Sequence, residues 1–279
     1  MHNIKIIADT TASLPIEYIE KENITVFPIY YTFEGKEYAE GYPHEYKDFY
    51  EKLINSQNFP QTSQPSIQKM KDCLEEALEE EPDAIIVLSI SKGLSGTFNS
   101  LNLVADMIGD DRIHIFDTRT TTVNLKRQVE YVVKLRNENK NIDEIIEKLN
   151  KHREEEYIYF IPETLEYLKR GGRLSAASAF IGDMLSIKPI VTVTPEGTLD
   201  VYEKVRGSKK GINKMLSYIP DDVKYLSVVY IYDNRKSITI AEKLKEKYPD
   251  IDIYVEEVDP VIGCHIGPGT IGILYGTYL

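Results

Sequence analysis

His265 lies in a glycine-rich segment near the end of the chain that could line a ligand site. This segment, residues 263–270, reads Gly-Cys-His-Ile-Gly-Pro-Gly-Thr. Glycine lets the backbone approach a ligand closely or take a positive φ angle, and the imidazole titrates nearer to neutral pH than other side chains. A histidine framed in this way is a candidate for contact with a bound group.

Two further segments carry small polar side chains of the same kind. Residues 61–66 read Gln-Thr-Ser-Gln-Pro-Ser, and residues 91–97 read Ser-Lys-Gly-Leu-Ser-Gly-Thr. If the three segments converge, they form a pocket of hydroxyl groups with one imidazole, which suits a carboxylate or a phosphate. Arg173 follows two glycines and could add a fixed positive charge for such an anion, although a surface arginine at a helix turn is the simpler interpretation.

Ser95 occupies a position where ligands often bind. It follows an apolar run at residues 84–89, predicted as a buried strand, and precedes a predicted helix from Thr97. Ligands of open α/β sheets bind beyond the carboxyl ends of the strands, where helix N-termini offer unpaired N–H groups. The alternative is that Ser95 and Thr97 only cap the helix, and the same ambiguity applies to Thr62 before the next predicted helix.

Several catalytic patterns are absent or incomplete. The run Gly-Leu-Ser-Gly misses the GxSxG nucleophile motif by one residue, so a lipid hydrolase or acyltransferase using Ser95 and His265 stays an alternative. A GxGxxG match at residues 267–272 has no room for the helix that a dinucleotide site requires. No Walker motif and no metal-ligand spacing occur, so neither a cofactor nor a metal is expected. Cys264 is expected to be reduced and, on a predicted strand, to face away from His265.

The net charge of −12 argues against nucleic acid as a partner, because nucleic acids require a basic footprint. No apolar stretch approaches the ~18 residues that a membrane span needs, and charged residues begin at Lys5. We therefore expect a cytoplasmic protein without stable membrane insertion.

The order of predicted elements divides the chain in two. Residues 1–155 alternate strands and helices, including one long strand at residues 24–33, which predicts an α/β domain with a parallel sheet between helix layers. Residues 156–279 mix strands, helices and a hairpin around residues 195–197, which predicts a smaller α+β domain. The boundary near residue 155 carries no low-complexity linker.

Taken together, the polar segments and several others resemble the DegV family of bacterial fatty-acid-binding proteins. The motifs, in chain order, are residues 62–66 (TSQPS), 94–98 (LSGTF), 165–173 (LEYLKRGGR), 188–190 (KPI), 205–207 (VRG) and 265–269 (HIGPG). The resemblance covers nearly the whole chain. It implies a two-domain α/β fold, with an N-terminal three-layer α/β/α parallel sheet, a smaller C-terminal domain with a mixed sheet, and one fatty acid bound between them.

The resemblance also implies the function. It implies that Thr62, Ser95 and His265 hold the carboxylate of a long-chain fatty acid such as palmitate, stearate or oleate, with Arg173 in the same polar network. A separate fatty acid kinase would then phosphorylate this carboxylate to an acyl phosphate, which a downstream acyltransferase would use in phospholipid synthesis. The protein would be a carrier rather than an enzyme, with Arg206 serving partner docking. A lipid-sensing regulatory module is a further alternative.

Two segments depart from the family pattern. Residues 8–13 read Ala-Asp-Thr-Thr-Ala-Ser in place of the usual Asp-Ser opening, which is a mild change. Residues 117–123 read Asp-Thr-Arg-Thr-Thr-Thr-Val and lack the usual glycine-containing pattern. The second departure is expected to reshape the lipid tunnel.

Overall fold

The computed structural model describes residues 2–173 and 187–278. The strands in these residues are β1 (Ile4–Asp9), β2 (Ile24–Phe27), β3 (Tyr30–Phe33), β4 (Lys36–Ala39), β5 (Gln61–Ser63), β6 (Ala84–Ser89), β7 (Ile113–Asp117), β8 (Glu156–Ile161), β9 (Ile187–Val193), β10 (Leu199–Arg206), β11 (Tyr225–Tyr230), β12 (Ile253–Glu257) and β13 (Ile271–Gly276). The helices are α1 (Ile16–Lys21), α2 (Lys47–Asn55), α3 (Ile67–Glu79), α4 (Thr97–Ile108), α5 (Thr122–Asn137), α6 (Ile142–Glu154), α7 (Glu166–Gly171), α8 (Ser208–Leu216), α9 (Arg235–Lys247) and α10 (Pro260–Ile266), with a 3-10 turn at Thr10–Ala12.

The N-terminal half is built on a four-stranded parallel sheet in the order β2-β1-β6-β7. Strands β1 and β6 are buried along their whole length, as their continuous apolar runs predict. Helices α3 and α4 pack together against one face of this sheet, and α5 and α6 cover the other. The predicted α/β class with a parallel sheet is confirmed.

The predicted long strand at residues 24–33 is wrong. It breaks at Pro28, because proline has no N–H group to continue a strand ladder. The first part, β2, stays in the parallel sheet, and the second part, β3, lies at the centre of a small antiparallel sheet in the order β4-β3-β5. Strand β5 carries Thr62 and leads into α3, where Ser66 caps the helix by accepting a hydrogen bond from the N–H of Lys69.

The C-terminal half contains a six-stranded mixed sheet in the order β10-β9-β8-β13-β11-β12. Helices α8 and α9 cover one face, and the other face packs toward the N-terminal half. The predicted mixed sheet is confirmed. Strand β13, which sequence analysis did not identify, is fully buried and lies between β8 and β11.

The segment around His265 is a helix rather than the expected strand. Asp259 caps α10 by accepting a hydrogen bond from the N–H of Ile262 at 2.9 Å, and Pro260 occupies the first turn, where no N–H is needed. Cys264 is buried in the core, and burial raises the pKa of its thiol well above the usual range. The argument from strand geometry was therefore wrong, but the cysteine still lies in a setting that disfavours a reactive thiolate.

The two halves share one hydrophobic core. Phe49 and Tyr50 of α2 belong to the same buried cluster as Phe160, Val229 and Leu274 of the C-terminal sheet. The phenol hydroxyl of Tyr50 lies 2.6 Å from the carbonyl oxygen of Val258, to which it donates. In the described residues, no helix is both long and apolar enough to cross a membrane.

Candidate functional site

A cavity of about 230 Å³ lies between the two halves of the protein, and we call it the central cavity. Its lining consists of Ile29, Thr62, Ser63, Gln64, Ile90, Leu94, Ser95, Gly96, Thr121, Thr122, Ile158, Phe160, Arg173, Val193, Leu199, Val229, Val258, Val261, Ile262, His265, Ile266, Thr270 and Leu274. All three polar segments identified in the sequence contribute to this wall, so the condition on which the predicted pocket depended is met. Most of the remaining wall is aliphatic, which is the composition that an apolar ligand requires.

Thr62 and His265 are joined across the cavity wall. The Oγ1 atom of Thr62, on the short strand β5, lies 2.8 Å from Nε2 of His265, in the last turn of α10. Strand β5 is held in place by pairing with β3, where Thr62 lies opposite Tyr31. A rigid strand and a capped helix thus position one hydroxyl and one imidazole at hydrogen-bonding distance.

His265 is neutral at physiological pH. Burial, and secondarily the positive charge of Arg173, lower the pKa of its imidazole to about 4. Its Nδ1 atom is buried and has no hydrogen-bond partner among the described residues. The backbone of Gly171 lies directly against it, because a Cβ atom built on Gly171 would be 2.3 Å from Nδ1.

This packing selects one tautomer of the ring. A buried N–H without a partner costs about 1–3 kcal/mol, so the proton is better placed on Nε2 than on Nδ1. Nε2–H of His265 then donates to Oγ1 of Thr62, which leaves the hydroxyl hydrogen of Thr62 free. That hydrogen can donate to a ligand oxygen in the cavity.

Ser95 serves both the helix and the cavity wall. Its Oγ accepts a hydrogen bond from the N–H of Thr97 at 3.2 Å and lies 2.8 Å from Oγ1 of Thr97. The capping alternative is therefore correct in part, although Ser95 also lines the central cavity. The imidazole nitrogen that a hydrolase would direct at Ser95 is bonded to Thr62 instead.

Arg173 lies at the rim of the cavity, with an exposed side chain. Its Nε donates to the carbonyl oxygen of Leu94 at 3.3 Å, and Nη1 donates to the carbonyl oxygen of Gly171. The guanidinium therefore ties the loop that carries Ser95 to the end of α7. It also places a permanent positive charge near His265, which contributes to the lowered pKa of that imidazole.

With this geometry in view, comparison with known proteins identifies the chain's relatives. The sequence model described as uncharacterised protein, DegV family, matches residues 3–277. This protein belongs to the DegV family. A DegV domain-containing protein of Clostridium acetobutylicum is 33% identical over 98% of this chain and 99% of its own length.

Solved structures of DegV family members agree with the fold. The crystal structure of DegV from Bacillus subtilis, described as a fatty acid binding protein, matches with a TM-score of 0.88 and 30% identity over 99% of both chains. A fatty acid binding DegV family protein from Streptococcus agalactiae matches with a TM-score of 0.92 and 28% identity over 100% of both chains. These relatives are named as binding proteins rather than as enzymes.

The fifth residue predicted for function in this DegV family member, Arg206, lies away from the other four. It ends β10, where it pairs with Ile187, and its side chain is exposed. It does not belong to the lining of the central cavity. A role in partner docking stays a prediction.

Sequence analysis missed a buried carboxyl pair that holds α10. Glu40 accepts a hydrogen bond from the N–H of Val261 at 2.7 Å, and Asp259 caps the same helix. Burial raises the pKa of Asp259 to about 7, and burial together with the charge of Asp259 raises that of Glu40 well above its usual range. Glu40 follows β4, whose residues are mostly exposed, so the local sequence pattern gives no indication that its carboxyl group is buried.

Thr121 and Thr122 were also missed as cavity-lining residues, although their segment was noted as a departure from the DegV pattern. Thr122 has a φ angle of 53°, which is rare for a β-branched residue and indicates local strain. Both side chains are buried. Because both residues line the central cavity, they are the part of this segment that could change its shape.

Among the residues that the structure describes, no group of three or more histidine, cysteine or acidic side chains is placed to hold a metal ion.

Proposed function

We propose that this protein binds one long-chain fatty acid, with the acyl chain in the central cavity and the carboxylate among Thr62, Ser95, His265 and Arg173. The observation that carries this proposal is the composition of the cavity wall, in which aliphatic side chains from both halves accompany polar side chains that include those of Thr62, Ser95, Arg173 and His265. Relatives named as fatty acid binding proteins, at about 30% identity over nearly the full chain, support the same ligand class.

The energetics favour a ligand whose tail dominates affinity. Burying a sixteen-carbon chain gains ~0.8 kcal/mol per methylene, or roughly 12 kcal/mol before the costs of ordering. The carboxylate must then be paired, because a buried charge without partners is very costly. Hydroxyl donors from Thr62 and Ser95, the neutral imidazole and the guanidinium of Arg173 supply that pairing.

We further propose that the bound carboxylate is presented to a separate fatty acid kinase, which phosphorylates it for later use by an acyltransferase in phospholipid synthesis. The chain has no Walker motif of its own. Arg206, exposed at the end of β10, supplies a cation for docking this partner. Enclosure of the head group by both halves would also protect a labile acyl phosphate from water.

Native mass spectrometry of protein purified from its own host tests the ligand. We expect one fatty acid per chain, retained through gel filtration and released on denaturation. Incubation of the loaded protein with ATP, with and without the host's kinase fraction, tests the second part. Acyl phosphate that forms only with the kinase supports the carrier function. Hydrolysis of an acyl ester by the protein alone would instead identify an enzyme, and lipid retention without any phosphorylation would identify a sensor.

A further inference from the structure

A second concavity of about 800 Å³, which we call the outer groove, adjoins the central cavity. Its lining consists of Arg119, Thr120, Asn124, Arg153, Glu154, Glu156, Tyr157, Ile158, Tyr159, Thr192, Val193, Thr194, Pro195, Asp200, Val201 and Tyr202. The lining includes charged residues as well as the rings of Tyr157 and Tyr202, which are 36% and 54% exposed. None of the four proposed head-group residues is among the described residues that line it.

Ile158 and Val193 line both spaces. The start of α5 also lies between the two spaces. Thr121 and Thr122 line the central cavity, whereas Thr120 and Asn124 line the outer groove. These shared and neighbouring residues separate the mainly aliphatic central cavity from an outer groove whose lining includes charged residues. We call Ile158 and Val193 the partition.

The sheet explains why side chains rather than backbone close this boundary. Strand β8 pairs with β9 at Tyr159↔Thr192 and Phe160↔Val191. At Ile158 the carbonyl oxygen instead accepts a hydrogen bond from the hydroxyl of Thr192, at 2.7 Å. Strand β9 continues beside β10 as far as Val193, so the backbone pairing of β8 with β9 ends next to the two partition residues, which both pack in the core between the halves.

We propose that Ile158 and Val193 set the upper limit on acyl chain length, an inference that rests on the proposed binding of a fatty acid. Each methylene in the central cavity contacts aliphatic side chains and adds to affinity. Atoms beyond the partition would meet the charged groups of the outer groove and water. Shortening either side chain joins the two spaces and gives a longer tail an exit between β8 and the β9–β10 hairpin.

The test measures the dissociation constants of saturated fatty acids of increasing length by displacement of a fluorescent fatty acid. In the wild-type protein, affinity rises by up to about fourfold per added methylene, the equivalent of ~0.8 kcal/mol, until a limiting length and then falls. In Val193→Ala and Ile158→Ala the limiting length moves to longer chains. In Val193→Leu, which adds bulk to the partition, it moves to shorter ones.

Val258→Ala is the matched control. Val258 lines the central cavity but not the outer groove, so its truncation removes the same two methyl groups without opening an exit. We expect it to weaken binding of all chain lengths by a similar factor and to leave the limiting length unchanged.

An unchanged limiting length in all three partition variants, or an equal shift in Val258→Ala, would overturn the assignment while leaving fatty acid binding intact. Wild-type protein that binds no fatty acid of any length would instead overturn the proposed function itself. Val193 is only partly buried, so Val193→Ala and Val193→Leu keep the test meaningful if Ile158→Ala fails to fold.

Discussion

Nε2 of His265 and Oγ1 of Thr62 lie 2.8 Å apart, although 203 residues separate them in the chain. The contact joins α10 of the C-terminal half to β5 of the N-terminal half at the wall of the central cavity. Because Nδ1 is buried against Gly171 and has no partner in the part of the chain that the structure describes, the neutral ring donates through Nε2, which leaves the hydroxyl hydrogen of Thr62 free to donate into the cavity. The head-group site is therefore completed only when both halves are in place.

His265 should act as a neutral donor. We expect His265→Gln to retain most fatty acid affinity, because an amide N–H can replace Nε2–H, whereas His265→Ala should lose more. Because burial and Arg173 hold the pKa of the imidazole near 4, we expect the ring to remain uncharged beside the bound carboxylate. Affinity should then be flat over roughly pH 6 to 8, where a free histidine titrates. Equilibrium binding of a fluorescent fatty acid across this range decides the matter. A steep decline, with glutamine as damaging as alanine, would show that a charged ring is needed.

Ser95→Ala should remove one partner of the lipid head and cost about 1–3 kcal/mol of head-group stabilisation. Since the acyl tail supplies most of the affinity, we expect lipid to remain bound while phosphorylation by the kinase slows. Thr97, which bonds Ser95 but is fully buried and does not line the cavity, offers a comparison through Thr97→Ser. Unaltered phosphorylation kinetics in Ser95→Ala would remove Ser95 from the site.

Arg206→Ala should weaken engagement of the kinase without changing lipid content. Charges at the rim of an interface mainly set the rate of encounter, so the defect should shrink as salt rises. Arg235, an exposed arginine on α9 that pairs with its neighbour Asp233, provides the matched control in Arg235→Ala. Mass spectrometry reports the lipid and surface plasmon resonance reports docking. Loss of lipid with normal docking would reverse the assignment.

Asp259 should make the protein less stable as pH rises. Its pKa increases from an ordinary 3.8 to about 7 on folding, chiefly through burial. Between these values the folded state holds a proton that the unfolded state has released, so this contribution is complete below about pH 4 and is lost toward pH 7. The slope for one proton cannot exceed about 1.4 kcal/mol per pH unit.

Asp259→Asn removes this titration, because asparagine also caps helices and does not titrate. It also removes the charge that helps to raise the pKa of Glu40, and this second change acts in the same direction. The free energy of unfolding of the variant, relative to wild type, should therefore increase from about pH 4 to about pH 7. The shift of His265 acts in the opposite direction over part of this range but is present in both proteins and cancels. Urea titrations at several pH values give the difference, and a pH-independent result would contradict the raised pKa.

Thr122→Gly should stabilise the fold. A β-branched residue at a φ of 53° is strained, and glycine adopts this region without that cost, so we expect a gain of about 1 kcal/mol. Thr121 is the matched control, since its φ of −159° is ordinary extended backbone. Thr121→Gly should lose about 0.5–1 kcal/mol. Thermal melts of both variants test the sign, and a loss in Thr122→Gly would show that its side-chain contacts outweigh the strain.

The sequence by itself determined the local elements with strong patterns and the kinds of side chain at the site. The continuous apolar run of β6 predicted a buried parallel strand, and α4 begins at Thr97, as predicted. The ordered motifs also indicated the DegV family, and the residue types of the three polar segments indicated a pocket for an anionic group. These inferences succeed because they depend on hydrophobic periodicity, turn residues and side-chain chemistry, which are local properties.

Only the tertiary structure decided which distant residues meet. Strand pairing placed β13 between β8 and β11, and the pairing of β8 with β9 ends next to Ile158 and Val193. The same packing buried Glu40 beside Asp259 and brought Thr62 to His265. Such contacts join residues that are far apart in the chain, and their burial and pKa values arise from the surrounding fold. Local sequence patterns therefore cannot predict these long-range contacts or the pKa values that depend on them.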